Sequence, residues 1–244
     1  LAAMLIANNY EPVIVDLNNQ VVHNQKDKYF EYCEKCIIDS LNEHKPDLVG
    51  INCLFSGNFP DVLKFARIIK SHSPNLKIAI GGMHPTTFPK EIITNCDDID
   101  YVAIGEGENT IVALAASIKT KNENLLSSIK SFAYKDKDGV VRVNRQENYI
   151  DDLDSLPMPA WDLIDLNKFE MKLDSYYNPP KLPLKNKAAI FSSRACPLDC
   201  NFCDMFLVMG KKHRKRSVKT IVDEIELLNK SYDVNYFSFM DDQL

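Results

Sequence analysis

The sequence predicts an α/β protein in which a doubly wound domain is followed by the opening of a (β/α) barrel. Short apolar strands alternate with amphipathic helices along the first half of the chain, which is typical of a parallel sheet with helices on both faces. From about residue 131 this alternation gives way to a hairpin and a proline-punctuated connector. Residues 187–244 then follow the order strand, loop, helix, strand, which is how a (β/α) barrel begins.

The first domain is expected to span residues 1–130. Its predicted strands are apolar on both faces, as in a buried parallel sheet, and cover residues 12–17, 47–54, 77–82 and 101–107. Two helices between them carry apolar stripes, formed by Phe30, Cys33, Ile37 and Leu41 and by Val62, Phe65, Ile68 and Ile69. Because the chain opens on a helix rather than a strand, we interpret it as a fragment and expect the first strand and its loop to precede Leu1.

Residues 131–186 are expected to form a connector. It contains a hairpin that turns at Asp138-Gly139, a short helix after Pro159 and an extended loop with three prolines. The second unit, residues 187–244, begins with a strand and a cysteine-containing loop. Ser217 is the predicted N-cap of its helix, and a second strand follows at residues 234–242.

Composition narrows the class of protein. With 45% hydrophobic and 26% charged residues, the chain has the profile of a soluble globular protein. The net charge of -5 argues against general nucleic-acid binding, which needs a basic surface. No apolar run reaches the roughly 18 residues of a membrane span, and the start lacks the basic region of a signal peptide. We therefore expect a cytoplasmic protein.

Three of the seven cysteines, Cys196, Cys200 and Cys203, lie in a C-x3-C-x2-C motif. Three thiolates leave a tetrahedral zinc site incomplete, but they can hold three irons of a [4Fe–4S] cluster and leave the fourth iron open to a ligand. A zinc site completed by a distant His or Cys is the alternative, although C-x3-C is unusual for zinc. Because the motif follows a strand, it is expected at the carboxyl end of the barrel strands, where barrel active sites lie.

The motif and its surroundings resemble one known family. SSRACPLDCNFC, IAIGGMHPTTFPKEI, DYVAIGEGENT, DDLDSLPMPAWDLID and FMDDQL occur here in the order seen in cobalamin (B12)-binding radical S-adenosylmethionine (SAM) proteins. The resemblance implies a Rossmann-like cobalamin-binding domain and a truncated radical SAM partial TIM barrel. It also implies that SAM binds the open iron and is cleaved to methionine and a 5′-deoxyadenosyl radical, with an electron donor such as flavodoxin or ferredoxin.

The same resemblance implies residues that contact SAM. Phe202 matches the aromatic position near the adenine, and Asp241 or Asp242 is expected to bind the SAM ammonium group; which of the two does so stays open. KKHRKR (211–216) is interpreted first as a solvated loop. A lesser alternative is that Arg214 or Arg216 neutralises the SAM carboxylate or an acidic substrate.

For cobalamin, the resemblance implies three loops at the carboxyl edge of the first sheet, where ligands bind in open α/β folds. The candidate residues are Phe55, Ser56, Gly57, Gly81, Gly82, His84, Gly105, Glu106 and Gly107. Ordinary tight turns are the alternative for the glycines. His84 is expected at the surface or against the cobalamin nucleotide rather than on cobalt, because the familiar Asp-x-His-x-x-Gly ligand loop would precede Leu1.

The resemblance implies a radical SAM enzyme that uses cobalamin to methylate an unactivated carbon of a small-molecule or peptide substrate. One alternative keeps both cofactors but performs oxidation or ring formation. Another is a non-catalytic cobalamin-binding sensor or carrier, against which the complete cysteine motif argues. The remaining cysteines, Cys33, Cys36, Cys53 and Cys96, are expected to be buried and inert.

Overall fold

A computed structural model describes residues 1–17, 28–145, 149–166, 186–198 and 200–243. The helices are α1 (Ala2–Ala7), α2 (Tyr29–His44), α3 (Phe59–His72), α4 (Met83–Thr87), α5 (Pro89–Asn95), α6 (Glu108–Thr120), α7 (Phe206–Met209) and α8 (Val218–Tyr232). The strands are β1 (Leu48–Asn52), β2 (Lys77–Gly81), β3 (Tyr101–Ala103), β4 (Phe132–Lys135), β5 (Val141–Asn144), β6 (Asn186–Ile190), β7 (Ser193–Arg194), β8 (Arg214–Lys215) and β9 (Val234–Phe239).

Strands β1 to β5 form one sheet in chain order. β1, β2 and β3 run parallel, whereas β4 and β5 are antiparallel and form the predicted hairpin. The side chain of Asp136 shapes its turn by accepting hydrogen bonds from the amides of Asp138 and Val140 at 3.0 and 2.9 Å. The hairpin was expected in the connector, but its pairing with β3 carries the first sheet beyond residue 130.

The strand predicted at residues 12–17 does not form. This segment is irregular, and Val13, Ile14 and Val15 are exposed. A β-branched run becomes a strand only when another strand supplies hydrogen bonds. Within the described residues no strand pairs with this segment or with the outer edge of β1. The prediction was therefore wrong because it used residue preference without a pairing partner.

Helices cover both faces of the sheet, as a doubly wound fold requires. On one face, Ile78, Ile80 and Val102 pack against α2, α3 and α5. On the other face, Ala79 and Tyr101 pack with residues of β4 and with α6. Neighbouring residues of one strand enter different cores because side chains alternate between the two faces of a sheet. The predicted α/β class is confirmed.

The second unit contains the predicted strand–loop–helix–strand order. β6 and β9 pair directly and in parallel, and α8 lies between them in the chain. Ser217 caps α8 by accepting a 3.2 Å hydrogen bond from the amide of Thr220. Leu166, from the connector, is buried in the core of this unit, and Trp161 packs against that core. The short β7–β8 ladder closes the base of the cysteine loop. No helix in the described part of the chain could span a membrane.

Candidate functional site at the carboxyl edge of the sheet

The loops after β1, β2 and β3 meet at one edge of the first sheet. Nδ1 of His84 lies 2.9 Å from the hydroxyl of Ser56, which joins the first two loops. The amide of Gly105 donates a 2.9 Å hydrogen bond to the hydroxyl of Thr86, which joins the second loop to the third. The structure thus brings together the three loops that the sequence singled out for cobalamin.

The glycines of this edge differ in what surrounds them. Gly82 has φ +115°, and a Cβ atom there would lie 2.5 Å from the carbonyl oxygen of Cys53. Only glycine is therefore accommodated without a backbone shift. A Cβ atom at Gly57 would meet nothing within 4 Å, and Phe55 beside it is exposed. At Gly81 the nearest such atom is the Ala103 side chain, at 3.6 Å. The edge is therefore open at the first loop and tightly packed at Gly82.

His84 lies between two phenylalanine rings. Its ring centroid is 4.3 Å from that of Phe59 and 5.1 Å from that of Phe88. Burial lowers the pKa of His84 below its usual value, because a partly buried site disfavours the charged imidazolium. The imidazole is therefore neutral at neutral pH, with one ring nitrogen already in contact with Ser56.

The third loop is covered by other parts of the chain. A Cβ atom at Gly105, whose φ is +70°, would lie 3.1 Å from the carbonyl oxygen of Val208 in α7. One at Gly107 would lie 3.3 Å from the side chain of Leu1. The loop predicted to face cobalamin therefore also contacts the helix that follows the cysteine motif.

Glu106 has its carboxylate inside the protein. Its side chain is only 3% exposed, and its Oε2 accepts hydrogen bonds from the amide of Ile150 at 2.8 Å and from Nη1 of Arg214 at 3.0 Å. Its Oε1 lies within ion-pair distance of Arg214, at 2.8 Å, and of Arg194, at 3.2 Å, but without a well-aligned hydrogen bond. The carboxylate that was expected at cobalamin is thus engaged by two arginines.

Glu108 extends this network. It accepts a 2.6 Å hydrogen bond from Nη2 of Arg194. Burial acts to raise the pKa of Glu108, but the charge and hydrogen bond of Arg194 outweigh burial and hold this pKa below its usual range. Burial likewise opposes the charge of Arg194, yet the two glutamates raise its pKa. We call Glu106, Glu108, Arg194 and Arg214 the acid–arginine bridge.

The two arginines considered for SAM or substrate are bound within the protein. The side chain of Arg214 is 2% exposed and also donates to the carbonyls of Met209 and Ile150, at 2.7 and 2.8 Å. Arg216 pairs with the buried carboxylate of Glu224. The basic run is therefore not simply a solvated loop, because these two side chains point into ion pairs.

The cysteine motif lies between β7 and α7. Cys196, Cys200 and Cys203 are free thiols at partly or fully exposed positions, and the amide of Cys203 donates to the carbonyl of Cys200 at 3.1 Å. No three His, Cys, Asp or Glu side chains in the described ranges are grouped closely enough to hold a metal ion. Three free thiols on one loop nevertheless fit the ligand type of an iron–sulfur cluster, whose irons take cysteine thiolates.

The two aspartates after β9 have different surroundings. Oδ1 of Asp241 accepts hydrogen bonds from the amides and hydroxyls of Ser192 and Ser193, at the entry to the cysteine loop. Its Oδ2 is buried without a hydrogen-bond partner. Asp242 is an exposed residue. Its pKa is raised above the usual value, chiefly because part of the carboxylate is shielded from water and secondly because Asp241 is negatively charged. Phe202 is 91% exposed beside Cys203.

The other cysteines match their expected environment in part. Cys33 and Cys53 are fully buried, whereas Cys36 and Cys96 are partly exposed.

Sequence reasoning missed Arg194 as an ion-pair residue. The available signal was a charged side chain directly between an apolar strand and the cysteine motif.

Comparison with known proteins agrees with these features. A family model for the B12 binding domain matches residues 1–115. An uncharacterized methyltransferase of Pyrococcus horikoshii is 31% identical over 202 residues, which cover 83% of this chain and 41% of that protein. An anaerobic magnesium-protoporphyrin IX monomethyl ester cyclase of Rubrivivax gelatinosus is 28% identical over 253 residues, which cover 100% of this chain and 40% of that protein.

Among solved structures, the cobalamin-dependent S-adenosylmethionine radical enzyme OxsB, with aqua-cobalamin and S-adenosylmethionine bound, matches with a TM-score of 0.73 and 19% identity. The match covers 99% of this chain and 30% of that one, and it establishes the fold. This chain spans less than half the length of each of these three proteins. With its B12-binding domain followed by the three-cysteine loop, the chain belongs to the B12-binding-domain-containing radical SAM proteins.

Proposed function

We propose that this chain is part of a cobalamin-dependent radical SAM enzyme that methylates an unactivated carbon. The observation that carries the proposal is the contact between two sites: the three-thiol loop and its following helix pack against the carboxyl edge of a B12-binding sheet. A [4Fe–4S] cluster on Cys196, Cys200 and Cys203 would supply one electron for the reductive cleavage of SAM. The protein's part is to hold SAM and cobalamin against one substrate atom and to exclude water.

Asp242 is the better candidate for the SAM ammonium group. Asp241 already uses one carboxylate oxygen for Ser192 and Ser193, so its part is to hold the strand that enters the cysteine loop. Asp242 lies next to it with an exposed carboxylate, and a charge-assisted hydrogen bond to an ammonium group would offset the effects that raise its pKa. The exposed ring of Phe202 is available to cover the adenine.

The open part of the carboxyl edge is the candidate cobalamin contact. Phe55 offers an exposed ring, and Gly57 has free space where a side chain would otherwise stand. The Ser56–His84 pair lies between this loop and Gly82 and presents a neutral imidazole. Gly105, Glu106 and Gly107 serve this site indirectly, since they contact other parts of the chain.

A second candidate function keeps both cofactors but performs oxidation or ring formation without methyl transfer. The similarity to the Rubrivivax gelatinosus cyclase over the whole of this chain supports it. The similarity to the Pyrococcus horikoshii methyltransferase supports the first candidate. A binder without catalysis has no use for three thiols that leave an iron open. We expect a small-molecule or peptide substrate, a flavodoxin or ferredoxin as electron donor, and a cytoplasmic location.

The test follows the methyl group of SAM. The intact protein is supplied with SAM labelled in its methyl group, cobalamin, a reductant and candidate substrates. Label that passes into cobalamin and then into product supports methyl transfer. Deoxyadenosine and an altered product that never carries label would show oxidation or ring formation instead. An intact protein that binds cobalamin but never cleaves SAM would show that the protein is a binder.

A further inference from the structure

The acid–arginine bridge lies between the two proposed cofactor sites. Glu106 and Glu108 belong to the loop after β3 and the first turn of α6, at the carboxyl edge of the first sheet. Arg194 lies two residues before Cys196, and Arg214 is its partner in the β7–β8 ladder. Each of the three ion pairs, Arg194–Glu106, Arg194–Glu108 and Arg214–Glu106, therefore runs from the B12-binding domain to the base of the cysteine loop.

The geometry of the bridge favours a single arrangement. Arg194 directs one terminal nitrogen to Glu106, at 3.2 Å, and the other to Glu108, at 2.6 Å. A planar guanidinium can span two carboxylates in this way, whereas the ammonium group of a lysine is a single point charge. Removing one partner would leave a charge buried without compensation, so sliding of the loop across this edge is disfavoured.

Arg214 connects the bridge to two further segments. Its donors reach the carbonyl of Met209, at the end of α7, and the carbonyl of Ile150, in the part of the connector that follows the hairpin. The contact between Gly105 and the backbone of Val208 lies beside it. The cysteine loop is thus joined to the carboxyl edge before its first cysteine, through Arg194, and after its last, through α7.

We propose that Glu106 and Glu108 are positioning residues, which act through Arg194 and Arg214 to hold the cysteine loop against the carboxyl edge of the B12-binding sheet. The two glutamates touch no cofactor in this role. Their effect is to keep the cluster and cobalamin at one separation, so that a substrate atom can be reached from both. The identity of the cofactors rests on the proposed function, whereas the attachment of the loop does not.

The first test needs no cofactor. Amide hydrogen exchange is measured on the intact protein without cofactors, for the unaltered chain and for Glu106→Gln and Glu108→Gln. Losing a charged hydrogen-bond partner should speed exchange in residues 200–210 by roughly tenfold or more. Unchanged exchange there in both variants would overturn the proposal. Should Glu106→Gln fail to fold, the more exposed Glu108→Gln carries the same test.

A matched control removes an ion-paired carboxylate elsewhere. Asp100 is shared by Lys70 and Lys77 at the opposite, amino-terminal end of the strands. Asp100→Asn should speed exchange near those strand ends and leave residues 200–210 unchanged. Equal acceleration of residues 200–210 in this control would mean that any lost ion pair loosens the loop, and would overturn the proposal. In the Arg194→Lys variant, residues 200–210 should exchange at a rate between that of the unaltered chain and that of the glutamine variants, since one ammonium group cannot bind both glutamates. A rate equal to that of the unaltered chain would contradict the two-carboxylate role of Arg194.

The second test measures the separation itself. A reduced cluster and cob(II)alamin both carry unpaired electrons, and their magnetic coupling falls with the cube of the distance between them. The unaltered protein should give one defined coupling, and Glu106→Gln should lose it while binding both cofactors in unchanged amounts. An unchanged coupling would overturn the proposal. If the unaltered protein binds neither cofactor, the proposed function fails, and hydrogen exchange alone then decides whether the bridge holds the loop.

Discussion

One carboxylate oxygen of Asp241 accepts hydrogen bonds from both the amide and the hydroxyl of Ser192, at 2.9 and 3.0 Å. This places the end of β9 directly on the turn that leads from β6 into the cysteine loop. Asp242, one residue later, is exposed. The two neighbouring carboxylates should therefore respond differently to mutation.

Asp241→Ala should lower stability, because it leaves the amides of Ser192 and Ser193 without their acceptor. Buried unsatisfied groups cost about 1–3 kcal/mol each, so we expect a loss of about 2 kcal/mol or more in urea unfolding. Asp242→Asn should not lower stability, because the folded protein disfavours the charge of Asp242. It should weaken SAM binding by roughly ten- to a hundredfold, because a charged hydrogen bond is lost. Calorimetric titration of the reconstituted protein measures the affinity. The reverse pattern would assign the SAM ammonium group to Asp241.

Replacing any one of Cys196, Cys200 or Cys203 with alanine should abolish cluster assembly, because each is expected to hold one iron. Iron and sulfide analysis after anaerobic reconstitution measures the loss. Cys36→Ala is a suitable control, since Cys36 lies on α2, in the first domain, outside the three-cysteine motif. Normal iron content in Cys200→Ala would refute the three-cysteine assignment.

Gly82→Ala should destabilise the carboxyl edge. The positive φ and the close approach of the Cys53 carbonyl both oppose a side chain, so we expect a loss of more than about 2 kcal/mol. Gly57→Ala is the matched control, because free space surrounds its Cβ position and its φ is not positive. Thermal and urea unfolding of the two variants check this expectation. Equal stability of the two would show that the edge relaxes around Gly82.

Glu108 should make stability depend on pH. Its pKa in the folded protein lies below the value of 4.5 expected for an unperturbed glutamate, so the unfolded chain binds the proton more readily. The stabilisation is therefore fully present above pH 4.5 and is lost as the pH falls through the folded pKa. Glu108→Gln should cost about 2 kcal/mol at neutral pH, and this cost should shrink as the pH falls from 4.5 through the folded pKa. Urea midpoints of both proteins, measured between about pH 6 and about pH 3, give the comparison. A difference that does not shrink on acidification would contradict the ion pair.

The sequence predicted those parts of the molecule that depend on local patterns. The stripe of Cys33, Ile37 and Leu41 forms the buried face of α2, and Ser217 caps α8 as expected. The strand at residues 12–17 failed because pairing is not a local property. The link from Glu106 to Arg214 spans 108 positions, and no periodicity could reveal it. Loops could thus be assigned to one edge from strand order, but the partner of each charged group could not.

The contact between Trp161 and Glu224 has a practical consequence. Trp161 is the single tryptophan of the chain, and its indole N–H donates a 3.0 Å hydrogen bond to a carboxylate of α8. The ring also packs against the core of the second unit. Indole fluorescence therefore comes from Trp161 alone and reports whether the connector is packed against α8. Its emission should shift to the red when the connector is released, which makes the chain its own optical probe, without any added label.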